Sequence, residues 1–191
     1  SYSVTGVQTC ALPISINDFQ GSVVIRNQTK IGYLEQTPET DLNLTVLQRI
    51  IPDRPELLCE EHEYKAILTK LGISFFDKKL SLLSGGQRRK VELARVLVQK
   101  PELLILDEPT NHLDLDTIEW LQDYLAGLKS VVIFVTHDRY FLDAVCNRIL
   151  EIEHTHVYFY DGNYSDFVRG KILRAQRSEE RRVGKECRSR W

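Results

Sequence analysis

Apolar residues follow two rhythms along this chain, short unbroken runs and longer stretches at helical spacing. Residues 22–26 and 30–34 predict two short strands joined by a polar turn at 27–29. Thr45 is placed to cap a short helix over 46–51. Asp53 ahead of Pro55, with Gly72 beyond the last apolar position, predicts a helix over about 54–71. Ser84 opens another helix, with Val91, Ala94, Leu97 and Val98 as its buried stripe, and Pro101 forbids its continuation. The run 103–106 is apolar throughout, as a strand covered on both faces must be. A helix follows over 115–128 with Ile118, Leu121, Leu125 and Leu128 on one side, then a second buried strand over 131–135. Asp138 caps a helix carrying Tyr140, Phe141, Leu142 and Val145. Strands near 148–152 and 156–160, a turn at 161–163 and a last helix from Ser165 complete the pattern. Strands alternating with helices predict an α/β layer fold around a largely parallel sheet.

Charge alters this picture at the ends. The net charge of −2 implies no strong field for nucleic acid. Six of the 25 basic and three of the 27 acidic residues fall in 177–191 and none in 1–15, so the middle carries −5. Neither end shows a usable period or a packed element, and 1–15 lacks the basic start and long apolar stretch of a signal peptide. Both ends resemble translated sequencing adapters. The expected division is therefore foreign segments at 1–15 and 177–191, one partial domain over 16–170, and the opening of a linker at 171–176. No apolar run approaches a membrane span. The four cysteines (10, 59, 146 and 187) form no C-x-x-C pair, and Cys59 and Cys146 read as inert core thiols of a reducing, cytosolic chain.

Most of the candidate chemistry lies between residues 83 and 138, with Gln36 upstream of it. Asp107 stands at the end of an apolar strand, where a carboxylate can hold Mg²⁺ directly or through water. Glu108, one residue on, is placed to polarise an attacking water as general base. Ser84-Gly85-Gly86 leads into a helix whose free N–H groups and dipole suit an anion. His137 follows the strand 131–135 at the edge where ligands gather in open α/β sheets. Gln36 ends the early strand, with an amide able to contact Mg²⁺ or water. Other groups suggest less. His154 with His156, and Cys59 with His62, do not complete a metal site. Tyr158, Phe159 and Tyr160 read as strand packing, and Lys78, Lys79, Arg88, Arg89 and Lys90 as exposed basic residues.

Taken together these residues resemble the ATP-binding cassette (ABC) superfamily. Gln36 resembles its Q-loop, Leu83-Ser84-Gly85-Gly86-Gln87 its signature, and Leu103 to Asp107 its Walker B strand. Glu108 resembles the catalytic glutamate, Asp114 the D-loop residue and His137 the switch histidine, all in the family's order. The resemblance covers about residues 16–170. Gly32-Tyr33-Leu34-Glu35-Gln36, the phrase from Thr136 to Asp143 and the segment from Tyr160 to Phe167 resemble the ABC-F branch, with the first of two tandem domains favoured.

The resemblance implies a P-loop NTPase-like fold, ATP and Mg²⁺ as ligands, and cytoplasmic tandem-domain ATPases, many acting on the ribosome, with rRNA and tRNA contacts. Each ATP site forms between two domains, one giving the phosphate loop and Walker B acids and the other the signature residues Ser84, Gly85, Gly86 and Gln87, with Asp114 of the D-loop also counted among the nucleotide-binding residues. Two departures stand out. No G-x-x-x-x-G-K-[ST] loop occurs in the 191 residues, so the Walker A strand, loop and helix are expected to be missing. The stretch from Gln36 to the signature is also short for a family that often inserts an arm there. Loss of the Walker A strand is expected to uncover apolar faces and strand edges. Three functions fit: an ABC-F ATPase working in translation, the ATPase subunit of a membrane transporter, and a non-catalytic binding module.

Overall fold

The computed structural model describes residues 3–5, 29–35, 40–51, 61–153 and 156–188. Strands β1 (Ser3–Thr5), β2 (Ile31–Leu34), β3 (Leu103–Asp107), β4 (Val131–Val135), β5 (Arg148–Glu153) and β6 (His156–Asp161) form one sheet in the order β2-β3-β4-β1-β5-β6. Every pairing is parallel except β5 with β6. The predicted α/β fold with a largely parallel sheet is therefore present. Helices α1 (Val46–Ile50), α2 (Glu61–Lys70), α3 (Gly85–Val98), α4 (Leu115–Gly127), α5 (Arg139–Val145) and α6 (Tyr164–Arg188) complete it. The predicted strand over 22–26, Gln36, Cys59 and His154 lie outside the described residues.

Register explains how the sheet builds an edge. Leu34 lies opposite Leu106, Asp107 opposite Val135, and Thr5 opposite Phe134. The carboxyl ends of β1 to β4 thus meet along one rim, where loops rather than ladder bonds take over. Leu104, Leu106, Val132 and Phe134 are fully buried beneath it, and Phe134 meets Phe141 of α5 edge to face at 5.3 Å.

Helix α3 is the main partner of the β2 side. Val91, Leu93, Ala94, Val96, Leu97 and Val98 are all buried, a wider face than the predicted stripe. It approaches β2 so closely that a Cβ on Gly32 would lie 2.8 Å from Cγ1 of Val96. Glu92, on the same buried face, accepts two hydrogen bonds from Arg49 (2.6 and 3.0 Å) and one each from Arg95 and Thr40. A buried carboxylate needs that many donors to offset its lost hydration. The network fastens α1 to α3.

Two expectations about the ends require correction. Ser3–Thr5 is a strand seated between β4 and β5, so the sheet has no open edge at its centre. Pairing uses backbone groups alone, and three residues need neither charge nor period to supply them. Residues 177–188, expected to form no element, continue α6. They are rich in Glu, Arg and Lys, which favour helix, and a helix already nucleated over 164–176 extends through them at little cost.

Candidate functional site

The strand β3 ends at Asp107, and the chain turns at once. Glu108 takes a left-handed backbone conformation, with φ of 47°. That region is unfavourable for a residue with a Cβ and persists only where its surroundings enforce it. Here the Glu108 N–H donates to Val135 O at 2.8 Å, and Glu108 O accepts from Asn111 N at 3.3 Å. A second left-handed residue, His112 at φ 66°, and the Leu113 N–H bond to Thr110 O carry the loop to Asp114. Asp114 then caps α4, its Oδ1 accepting from Thr117 N at 3.1 Å.

The turn directs Glu108 toward the next strand end. Its carboxylate is 11% exposed, and Oε1 lies 3.4 Å from Nε2 of His137, which is 84% exposed. His137 stands in the corner between β4 and α5. Thr136 Oγ1 accepts from Asp138 N, and Asp138 Oδ1 accepts from Tyr140 N and Phe141 N, so both flanking residues are pinned. Thr110 and Thr136 share a hydroxyl–hydroxyl hydrogen bond of 3.2 Å, tying the loop after Glu108 to the one bearing His137. The structure thus brings together Asp107, Glu108 and His137, residues that sequence placed on two separate strands.

The signature residues start α3. Ser84 is its N-cap, accepting from Gln87 N while the Gln87 side chain accepts from Ser84 N, a reciprocal capping box. Gly85 faces open space, with nothing within 4 Å of where a Cβ would stand. Gly86 is different: a Cβ there would be 3.2 Å from Cβ of His112. Lys90 reaches Asp114 at 3.7 Å. The start of α3 and the 107–114 loop therefore pack as one unit. The Asp114 carboxyl is held below the usual range, first by its hydrogen bonding to Thr117 and also by the Lys90 charge.

Arg89 and Lys90, expected to be simply exposed, are not. The Arg89 guanidinium is half-buried and donates to Glu35 O and to Asp107 O, the carbonyls at the ends of β2 and β3. Burial pulls its pKa down, while the nearby Asp107, Glu92 and Glu108 carboxylates oppose that. A signal existed, since Arg89, Glu92, Leu93 and Val96 recur at i, i+3, i+4 and i+7 on one helical face. Reading 88–90 as a charge cluster hid it.

The donor chemistry suits Mg²⁺ and phosphate. Among the described residues no three His, Cys, Asp or Glu side chains converge as a metal site. A single hard carboxylate such as Asp107, with the remaining ligands coming from phosphate and water, is how Mg²⁺ is usually held. The open approach at Gly85, the first residue of α3, fits an anion at the helix N-terminus.

Comparison with known proteins agrees with the geometry. The family model described as "ABC transporter" matches residues 13–111. An ABC transporter ATP-binding protein of Bacillus subtilis, YfmR, whose name marks it as uncharacterized, is 47% identical over 122 residues, 64% of this chain and 19% of its own. The energy-dependent translational throttle protein EttA of Mycobacterium tuberculosis is 49% identical over 98 residues, 51% of this chain and 18% of its own. The chain thus spans about a fifth of the length of these relatives. A putative metal-chelate type ABC transporter in an inward-facing conformation superposes with a TM-score of 0.61 at 20% identity, covering 84% of this chain and 73% of that one. No helix among the described residues is long and apolar enough to cross a membrane. With half of its length matched by the family model and its sheet matched by the solved fold, the chain belongs to the ABC transporter family and carries part of that family's ATP-binding domain.

Proposed function

We propose that this chain is part of an ABC-F type ATPase that uses ATP binding and hydrolysis to drive closure between two cassette domains during translation. The observation that carries this reading is the contact between Glu108 and His137 beside Asp107, on the sheet rim where a nucleotide would sit. In this reading Glu108 takes the proton of the attacking water, and His137 helps to hold that water and the terminal phosphate. Asp107 would hold Mg²⁺, and the Gln36 amide would contact the ion or its water. Ser84, Gly85, Gly86 and Gln87 meet the phosphate of a nucleotide bound on the facing domain, and Asp114 belongs to the same face. ATP with Mg²⁺ would supply the electrophilic phosphorus and the charge neutralisation.

Identity to EttA, by name a translational throttle protein, supports a translational role; a cytoplasmic location and ribosomal RNA or tRNA as the working partner are part of the proposal. The family description also fits the ATPase subunit of a transporter. Co-purification with a membrane subunit would favour that second reading, and ATP-dependent sedimentation with ribosomes the first.

The 191 residues contain no G-x-x-x-x-G-K-[ST] loop. Losing one well-aimed donor costs about 3 kcal/mol in a reactive site, and such a loop supplies several. This chain alone is therefore expected to bind ATP weakly and to release phosphate no faster than its Glu108→Gln variant. In the complete protein, Glu108→Gln should lower turnover by roughly a hundredfold or more while nucleotide-driven closure persists. Normal turnover in that variant would remove Glu108 as the base.

A further inference from the structure

We propose that Arg89 is a positioning residue that couples the signature helix to the acid pair. The inference rests on the assignment of Glu108 above, and it concerns how that side chain is aimed. Glu108 holds an unfavourable left-handed conformation, so something must define the peptide leading into it. That peptide is gripped on both sides. Its N–H donates to Val135 O at 2.8 Å, and its C=O, that of Asp107, accepts from Arg89 Nη2.

The other arm of the same guanidinium donates to Glu35 O, just past the end of β2 and immediately before Gln36 in sequence. One rigid planar group thus joins the last turns of two neighbouring strands. Its stem springs from α3 two positions after Gln87, in the turn that follows the capped Ser84-Gly85-Gly86-Gln87 opening of the helix. A shift of α3 at Ser84–Gln87 would thus reach the Asp107–Glu108 peptide through this one side chain. A lysine has one point charge and cannot span both carbonyls.

The test uses the 191-residue chain without nucleotide, so failure of ATP binding leaves it intact. Amide exchange and NMR spectra are compared for the unaltered chain, Arg89→Lys, and Arg95→Lys as a control from the Glu92 network. Arg89→Lys should accelerate exchange of the Glu108 amide by about tenfold or more. It should also move the Asp107 and Glu35 carbonyl signals and the His137 ring signals, with Leu93 and Leu104 amides unchanged. Arg95→Lys should leave the Glu108 and His137 signals in place. Unchanged Glu108 exchange, or a shift spread evenly through the core, would overturn the proposal. Should Arg89→Lys fail to fold, the unaltered chain decides: slowly exchanging Arg89 Nη protons support the bridge, and rapidly exchanging ones refute it.

Discussion

Glu92 shows what a single buried side chain can require. It is 3% exposed and receives donors from Arg49, Arg95 and Thr40. Replacing it with alanine leaves two guanidinium groups without their carboxylate inside a packed face. Breaking such a pair costs about 3 kcal/mol, the lower end of the usual range because both arginines keep some solvent contact. Thermal unfolding of Glu92→Ala should fall by roughly 6–12 °C, and an unchanged midpoint would show that the network adds nothing. Glu92 also marks a limit of sequence reading. The stripe of Val91, Ala94, Leu97 and Val98 was legible because apolar periodicity reports burial directly. Arg89 and Glu92 lie with Leu93 and Val96 on the other side of the helix, where two of the four positions are charged, and periodicity in apolar residues does not register them. The left-handed turn at Glu108 was equally silent, since Glu normally avoids it.

At the scale of elements, caps were the most readable feature. Thr45, Ser84 and Asp138, predicted as helix starts, each accept from the first turn of their helix, and Asp114, not predicted as a cap, does the same. Such residues satisfy orphan N–H groups through local geometry that the sequence states by itself. Meeting points between elements were less readable. The Thr110–Thr136 bond and the contact of Gly86 with His112 join segments distant in sequence and depend on sheet register. The Asp114 cap has a pH consequence. Its folded pKa lies below the ordinary 3.8. A depressed carboxyl contributes stability above its unfolded pKa and loses it as pH falls through the folded value. Asp114→Asn should therefore flatten the dependence of the unfolding midpoint on pH below about 4, leaving the dependence above pH 5 unaltered. Identical acid profiles for the two proteins would exclude a contribution from this cap.

For the whole molecule, the decisive placement is that of β1. Val4 pairs with Ile133 of β4 and with Arg148 of β5, so three residues join the two halves of the sheet. A proline at position 4 removes a ladder donor, which is tolerated at edges and not in the middle of a sheet. Val4→Pro should cost about 3 kcal/mol, read as a lowered denaturant midpoint. No change would mean that β4 and β5 are held together without β1. The largely parallel order of β2 to β5 was legible from alternating runs and helices, whereas β1 was not, because three residues carry no period. Its position also dictates an order of assembly. The partners of β1 lie more than 120 residues downstream, so closing that loop must precede any gain from the pairing. Until β4 and β5 are both made and aligned, residues 3–5 have no slot to enter. The sheet is then completed from its middle, by the part of the chain synthesised before all its other strands.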